Sequence, residues 1–273
     1  MVSPFMMPPT GFGPGSQPDE GDEELTYTPL PSGMNTYSPH LPEVDDPSLA
    51  EPALAMLLAM ADAATGAGAE FDLASLTPAA RAVLADAMGQ GEVSMKLRGI
   101  PAIAVQESVF AGVWMLAGAG VDRIEVGPVP ALAVARAHLP HRPALGALAQ
   151  RNPGVVNAPA LLAELVDKSA SWGPGMAPHV INLTLLPHTP EDLDWLAEAL
   201  GEGAVTILSR GYGNCRITAL ALPHVWRVQF YNSTDQLILD TFEVTDMPEV
   251  ALAAAEDLED SAKRLREVVR AIA

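Results

Sequence analysis

The sequence predicts an α+β fold made of two tandem, diverged repeats, each running helix, antiparallel β-meander, helix, behind a disordered N-terminal segment. Three observations carry that expectation. Thr77-Pro78 opens an Ala/Leu-rich helix closed by Gly89-Gln90-Gly91, and Thr189-Pro190 opens another closed by Gly201-Glu202-Gly203. The correspondence continues without a gap at one offset of 112 residues, pairing Val93 with Val205, Arg98 with Arg210, Gly99 with Gly211 and Trp114 with Trp226. Matches in register at glycine, arginine and tryptophan over such a span mark an internal duplication. The third observation is composition: residues 1–50 are rich in Pro, Gly and Ser, contain no Lys or Arg, and carry the acidic runs 19–24 and 43–46. Such a segment buries too little apolar surface to offset its ordering entropy.

Taken in order, these divisions are a disordered acidic segment (1–50), a first α+β repeat with its preceding helix (51–150), and a linking helix with the second repeat (151–273). Leu49 to Ala64 is almost wholly Ala, Leu and Met, which predicts a helix. Thr77 and Thr189 are N-cap residues, the prolines after them suit the first helical turn, and Gly89 and Gly201 suit the C′ position. Strands are expected near 92–98, 102–109, 112–117 and 121–126, and again near 204–209, 215–222, 224–231 and 236–244. Val225, Val228, Phe230, Leu237 and Leu239 fit half-buried strands, with Asn232 to Asp235 as a hairpin turn. Beyond Trp226 the offset grows to 118, so Pro130 and Pro248 correspond and each is expected to open a helix. Between the repeats, Ala158 to Ala170 reads as helix and His179 to Leu186 as a further strand. A final helix is expected from Pro248 to Ile272, with Asp246 and Glu249 at capping-box spacing. Its acidic residues precede its basic ones, as the helix dipole favours, and its apolar face offers packing on the sheet or a homodimer contact.

The chain has 15 basic and 34 acidic residues, a net charge of −19. That sign argues against nucleic acid, whose binding rests on neutralising phosphates with Lys and Arg. No apolar run approaches a membrane span, and the first residues lack the basic start of a signal peptide. Cys215 is the only cysteine, so an intramolecular disulfide is excluded and a reducing, cytoplasmic setting fits. One thiol cannot by itself hold an iron–sulfur cluster, and no Cys/His cluster has zinc spacing. Neither a cofactor nor a metal is expected. His138 and His141 flank Pro140 and read as loop histidines. There is no nucleophile elbow, Walker loop, HExxH or dinucleotide fingerprint.

What chemistry the chain does suggest centres on Ser209 to Ile217, where Gly211, Gly213 and Asn214 permit a sharp turn. Arg210 and Arg216 would lower the pKa of Cys215 if their charged ends lay beside its sulfur. Against that, Ile103 stands at the corresponding position of the first repeat, so Cys215 reads equally as a small core residue. Arg98-Gly99 and Arg210-Gly211 occur in both repeats and are expected to be turn architecture, the arginines holding carbonyls there. The unshared segment Tyr212, Gly213, Asn214, Cys215 and Arg216 is the leading candidate for a partner contact, together with Gln106, Glu107 and Ser108. Glu107 interrupts an apolar strand and reads as either a buried acid or an edge residue, the edge being favoured since unpaired charges are seldom fully buried.

Several strings in order resemble one family. Gly91-Glu92-Val93-Ser94, Gln106 to Trp114, Ile181 to Pro187, Ser209 to Ile217, Val225 to Gln229 and Leu239-Asp240-Thr241 are similar to the HupH/HyaF hydrogenase expression/formation proteins, from about residue 76 to 270. The resemblance implies a cytoplasmic accessory protein, not an enzyme, for maturation of an uptake nickel–iron hydrogenase. It would act as a chaperone or scaffold for the iron–sulfur small subunit precursor before assembly and export. A HupG/HyaE-type thioredoxin-like companion is the second partner it implies. The family supplies no catalytic residues to carry over. Met115 follows Trp114 where the family pattern favours a basic residue, as Arg227 follows Trp226. An acidic chain would suit an export signal containing paired arginines. The alternative from a different class is a redox or metal/cluster-delivery protein using Cys215.

Overall fold

Alternating apolar and polar residues in the β segments place one side chain in two on each face of a sheet, and these strands join edge to edge into a single one. The computed structural model describes residues 47–210 and 213–272. The expectation for residues 1–46, like those for Gly211 and Tyr212, falls outside the described residues. Helix α1 (Pro47–Ala64) precedes a short strand β1 (Ala69–Asp72) and α2 (Pro78–Met88). A meander follows: β2 (Val93–Leu97), β3 (Ile103–Glu107), β4 (Val113–Gly118) and β5 (Val121–Val126). The short α3 (Ala131–Arg136), α4 (Ala158–Ser171), β6 (His179–Asn182) and α5 (Pro190–Leu200) lead to a second meander. Its strands are β7 (Val205–Ser209), β8 (Asn214–Ala219), β9 (Val225–Tyr231) and β10 (Leu237–Val244), and α6 (Ala255–Ile272) closes the chain.

All ten strands form one sheet in the order β1-β5-β4-β3-β2-β7-β8-β9-β10-β6, and every pairing in it is antiparallel. At the centre β2 pairs with β7, from Val93↔Ser209 to Leu97↔Val205, with Met95↔Ile207 in the middle. Two backbone bonds extend this seam, from Arg98 N–H to the Ala204 carbonyl and from Arg210 N–H to the Glu92 carbonyl.

On one face, Met95, Leu97, Ile103, Val105, Trp114 and Leu116 share a core with Val205, Ile207, Ile217, Trp226 and Val228, covered in part by α3. The opposite face is covered at its two ends only. Over β4 and β5, helices α1, α2 and α6 bury Leu57, Met60, Leu84, Leu265 and Val269 against Val113 and Ile124. Over β10 and β6, helices α4 and α5 bury Leu161, Leu165, Trp195 and Leu196 against Phe242 and Val244.

The two threonine-capped helices form as expected. Ala80 N–H donates to Thr77 Oγ1, and Thr189 with Asp192 makes a full capping box. Gly201 ends α5 at φ 64°, and a Cβ there would lie 2.5 Å from the Arg142 carbonyl oxygen, so only glycine fits. Asp192 also ties α5 to α4. Its Oδ1 accepts the N–H groups of Val156 (2.7 Å), Asn157 (3.0 Å) and Ala158 (3.0 Å), while Oδ2 accepts that of Thr189 (3.1 Å). The carboxylate is fully buried at the start of α4.

Four expectations need correction. The last helix begins at Ala255, not Pro248, because Pro248 takes extended angles (φ −58°, ψ 135°) and opens only a 3₁₀ turn at Glu249–Ala251. Asp246 does not cap it; it accepts from Trp172 Nε1 (2.8 Å) and pairs with His224 (3.0 Å). The run His179 to Leu186 is strand only to Asn182, then turns as 3₁₀ over Leu183–Leu185. Glu107 is not on an edge: β3 is paired with β2 and β4, and the residue is buried. Strand β1, Ala-Glu-Phe-Asp, escapes sequence reading because four residues carry too little alternation.

Asp192 yields a stability prediction. Burial raises its pKa, but the four backbone donors outweigh burial and lower it to about 2 from an ordinary 3.8. A carboxylate lowered on folding contributes stability that is present above about pH 4 and lost as pH falls through 2. Asp192→Ala should therefore cost about 2–3 kcal/mol at pH 7, through lost charged bonds and a lost cap, and much less near pH 2. Urea denaturation of both proteins at the two pH values measures the difference.

Candidate functional site

Between the two groups of helices the centre of the sheet is left open, and polar side chains predominate among those facing that gap. Cross-strand pairing arranges them in two rows. One runs Ala104, Lys96, Thr206, Thr218, Arg227, Phe242 from β3 to β10. The other runs Gln106, Ser94, Leu208, Arg216, Gln229, Asp240 over the same strands. Together they floor a groove of about 590 Å³, walled by Leu196, Ala197 and Leu200 of α5 and closed at one end by Arg98, Arg142 and Glu202.

Five of the chain's 15 basic residues line this groove, namely Lys96, Arg98, Arg142, Arg216 and Arg227, although the chain as a whole is at −19. Three of them are neutralised locally. Arg98 reaches Glu202 (3.1 Å) and donates to Thr206 Oγ1 (2.9 Å). Arg142 reaches the other oxygen of Glu202 at 2.8 Å. Arg227 forks onto Asp240, Nε to Oδ1 at 2.9 Å and Nη2 to Oδ2 at 2.6 Å, a bidentate geometry that fixes the guanidinium in place. Lys96 and Arg216 are exposed and have no partner among the described residues.

The residues singled out from sequence divide between this groove and the interior. Gln106 and Arg216 both line the groove, brought together although they lie far apart in the chain. The Gln106 Nε2 group is held by the carbonyls of Gly91 (3.1 Å), Val93 (3.2 Å) and Glu107 (3.0 Å). Ser108 is buried in the β3–β4 turn, bonded to Phe110 through both its hydroxyl hydrogen and its oxygen. Asn214 and Gly213 are exposed at the start of β8, with Asn214 Nδ2 donating to Asp235 Oδ1 (3.2 Å).

Cys215 faces away from the groove and is buried in the shared core, because neighbouring strand residues point to opposite faces. Burial first, and Glu243 second, push its thiol up to about 12. Neither Arg210 nor Arg216 lowers it. A thiol so raised stays protonated near neutrality, and the thiolate is the form that attacks disulfides or binds metal.

The turn arginines also differ from expectation. Arg98 holds a carboxylate and a hydroxyl of the second meander, not a carbonyl of its own turn; Arg136 Nη1 takes the Pro101 carbonyl instead (2.9 Å). His138 lies in a turn, but its ring packs edge-on to Trp226 and its Nδ1 meets the Leu220 carbonyl (2.9 Å). Among the described residues no group of three or more His, Cys, Asp and Glu could hold a metal ion.

Sequence reasoning missed Lys96, Arg142, Glu202, Gln229 and Asp240 as a group. One signal was available: β8 and β9 carry Arg216, Thr218, Arg227 and Gln229 on alternate positions, a polar face within strands whose other face is apolar.

The described residues thus form a continuous antiparallel sheet with an uncovered groove that five basic side chains line. The chain belongs to a defined family: its residues 55–138 and 155–272 match the HupH hydrogenase expression protein, C-terminal conserved region. It is 70% identical over 276 residues to the hydrogenase expression/formation protein HupH of Rhodobacter capsulatus, covering 100% of both chains. It is 43% identical over 279 residues to HoxQ of Cupriavidus necator, covering 98% of each. With the hydrogenase-1 operon protein HyaF of Escherichia coli it shares 30% identity over 276 residues, covering 96% of this chain and 95% of that one. No helix among the described residues is long and apolar enough to cross a membrane.

Glu107 gives a second pH prediction. Burial raises its pKa to about 6 from 4.5, against the opposing bond from Gly112 N–H (3.1 Å), and Glu92 and Asp257 add to the rise. A carboxyl raised on folding is stabilising to the fold only while protonated, so its cost is absent below about pH 4.5 and complete above pH 6. Glu107→Gln should gain about 1–2 kcal/mol at pH 8 and nothing at pH 4, read from denaturation midpoints.

Proposed function

We propose that this protein is an accessory factor in maturation of an uptake nickel–iron hydrogenase, acting in the cytoplasm as a chaperone or scaffold for the iron–sulfur small subunit precursor before assembly and export. The observation that carries this reading is a match over the full chain to relatives named for hydrogenase expression and formation. The open groove supports a binding role, since Glu202 and Asp240 hold three of its cations in place and leave Lys96 and Arg216 exposed. The partners in this reading are the precursor and a HupG/HyaE-type thioredoxin-like companion, and the groove is where a protein partner docks. Gln106 and Arg216 belong to that surface, Asn214 stands two residues before Arg216 on the same side of β8, and Tyr212 and Gly213 are further contacts proposed from the sequence. Cys215, Glu107 and Ser108 support it from inside.

The same reading includes a tandem duplication. Helix–meander order is common to 78–126 and 190–244. Residues that correspond at an offset of 112 are also those that face each other at the seam: Met95 pairs with Ile207, and the Val93↔Ser209 and Leu97↔Val205 pairs exchange under the same offset. A pseudo-twofold axis through Met95 and Ile207 is the simplest account.

Redox or cluster delivery through Cys215 finds no support in a buried thiol pushed up to about 12. In cells, Cys215→Ser should leave hydrogenase activity within about twofold of wild type, whereas a severe loss of activity would favour the redox reading. Replacing both Lys96 and Arg216 by Glu should reduce co-purification of the small subunit precursor at least fivefold and lower hydrogenase activity in parallel. Normal precursor recovery and activity in that variant would remove the groove from the docking role.

A further inference from the structure

We infer that the groove takes an extended, acidic segment of a protein partner, with carboxylates on Lys96 and Arg216. This rests on the reading of the groove as a docking surface and adds the chemistry of what docks. The first observation is the sign of the charge. A chain at −19 concentrates a third of its 15 basic residues at one opening, and Glu202 and Asp240 already offset part of that set. Arg98 and Arg142 are joined to Glu202, and Arg227 to Asp240, so these three are positioned rather than available. What remains for a ligand is Lys96 and Arg216, exposed and without a partner among the described residues. An export signal rich in arginine would meet like charge here, so the attraction proposed from net charge must act elsewhere on the surface.

Dimensions and polarity identify the form of the ligand. Six strands, β3 to β10 through the seam, floor the groove. At about 4.8 Å between neighbours they span roughly 24 Å, the length of about seven extended residues. Lys96 on β2 and Arg216 on β8 lie two strands apart and one row apart, roughly 12 Å, within reach of carboxylates separated by three or four residues. Beside them Thr206, Thr218 and Gln229 offer both donors and acceptors, which suits a peptide backbone carrying N–H and C=O groups. Ala197 of α5 and Leu208 of β7, both half-buried, supply an apolar wall for one side chain of the segment. A purely anionic polymer would leave the acceptors and this wall unmatched. A protein segment uses all of them.

Selection of a random twelve-residue peptide library against the full-length protein tests this without any hydrogenase partner. Enriched sequences should carry two or more Asp or Glu residues. A fluorescent synthetic peptide of that sequence should bind with an affinity that falls as salt rises. Binding should weaken at least tenfold in the Lys96→Glu/Arg216→Glu double variant, and less than twofold in Lys263→Glu, an exposed site on α6 outside the groove. The thermal unfolding midpoint of each variant shows that the fold is kept. Failure to enrich acid-bearing peptides, unchanged affinity in the double variant, or equal binding of the peptide with Asn and Gln in place of its acids overturns the proposal. So does tighter groove binding of a mixed-sequence single-stranded DNA oligonucleotide. Enrichment of neutral or basic peptides that the double variant loses would refute the acidic chemistry while leaving the docking surface itself in place.

Discussion

The β2–β7 pairing is the constraint on which the rest of this structure depends. Five residue pairs, extended at each end by the Arg98 and Arg210 amides, join two meanders into one sheet. Had each meander packed alone, each would expose an edge at β2 or β7 with a row of unpaired backbone groups, a liability that small domains must cover. Pairing those edges with each other removes both at once. It also commits the shared core, because Met95 and Leu97 then bury with Val205 and Ile207 rather than under separate helices. The two halves are therefore held by backbone and side chains together.

The same pairing explains why a groove exists. Ten strands are about 43 Å across, and a helix covers about 10 Å of sheet. The helices do not spread evenly over that width. α1 packs on both α2 and α6 at one end, and α4 packs on α5 at the other, so apolar surface is buried between helices as well as against the sheet. α6 follows β10 in sequence yet packs over β4 and β5, which draws it away from the centre. The strands left uncovered are the seam and its neighbours. Their outward residues must be soluble, and antiparallel sheets tolerate one wet face. A wet face alone would be satisfied by Thr, Ser and mixed charges. This one instead anchors Arg227 and Arg98 on buried or half-buried acids, which orders them before any ligand arrives and lowers the entropic cost of binding.

Local signals in the chain made much of this fold legible. Thr-Pro starts and Gly stops bounded two helices correctly, because caps are decided by residues within one turn of each other. The meander strands were legible to within a residue or two at most ends, since half-buried strands write their alternation into the sequence. Long-range facts were not legible. Glu107 looks like an edge charge until β3 is seen paired on both sides, and nothing within its own strand encodes the neighbour. Pro248 resembles a helix start, yet the Ala253 amide is bonded to the Pro128 carbonyl, and that tertiary tie delays the helix to Ala255. The groove belongs to the same category. Arg216 and Arg227 share the β8–β9 hairpin, but Lys96 joins them only through the seam, so no window of sequence contains the whole site.

The segment Asn214-Cys215-Arg216 shows how strongly strand geometry separates functions that look joined in sequence. Read linearly, a cysteine beside an arginine suggests an activated thiol, since a guanidinium favours the thiolate. In β8 the two side chains leave opposite faces of the sheet. Cys215 enters a core shared with Ile217 and Val228, where burial and Glu243 oppose ionisation. Arg216 enters the groove beside Gln229 and Leu208. The arginine therefore acts on whatever occupies the groove and not on the sulfur one residue away. Changes at 215 are felt through core packing, where a small residue of similar volume is tolerated, and changes at 216 through the surface. The apparent redox motif resolves into one buried core residue and one groove-facing residue because the period of a strand is two.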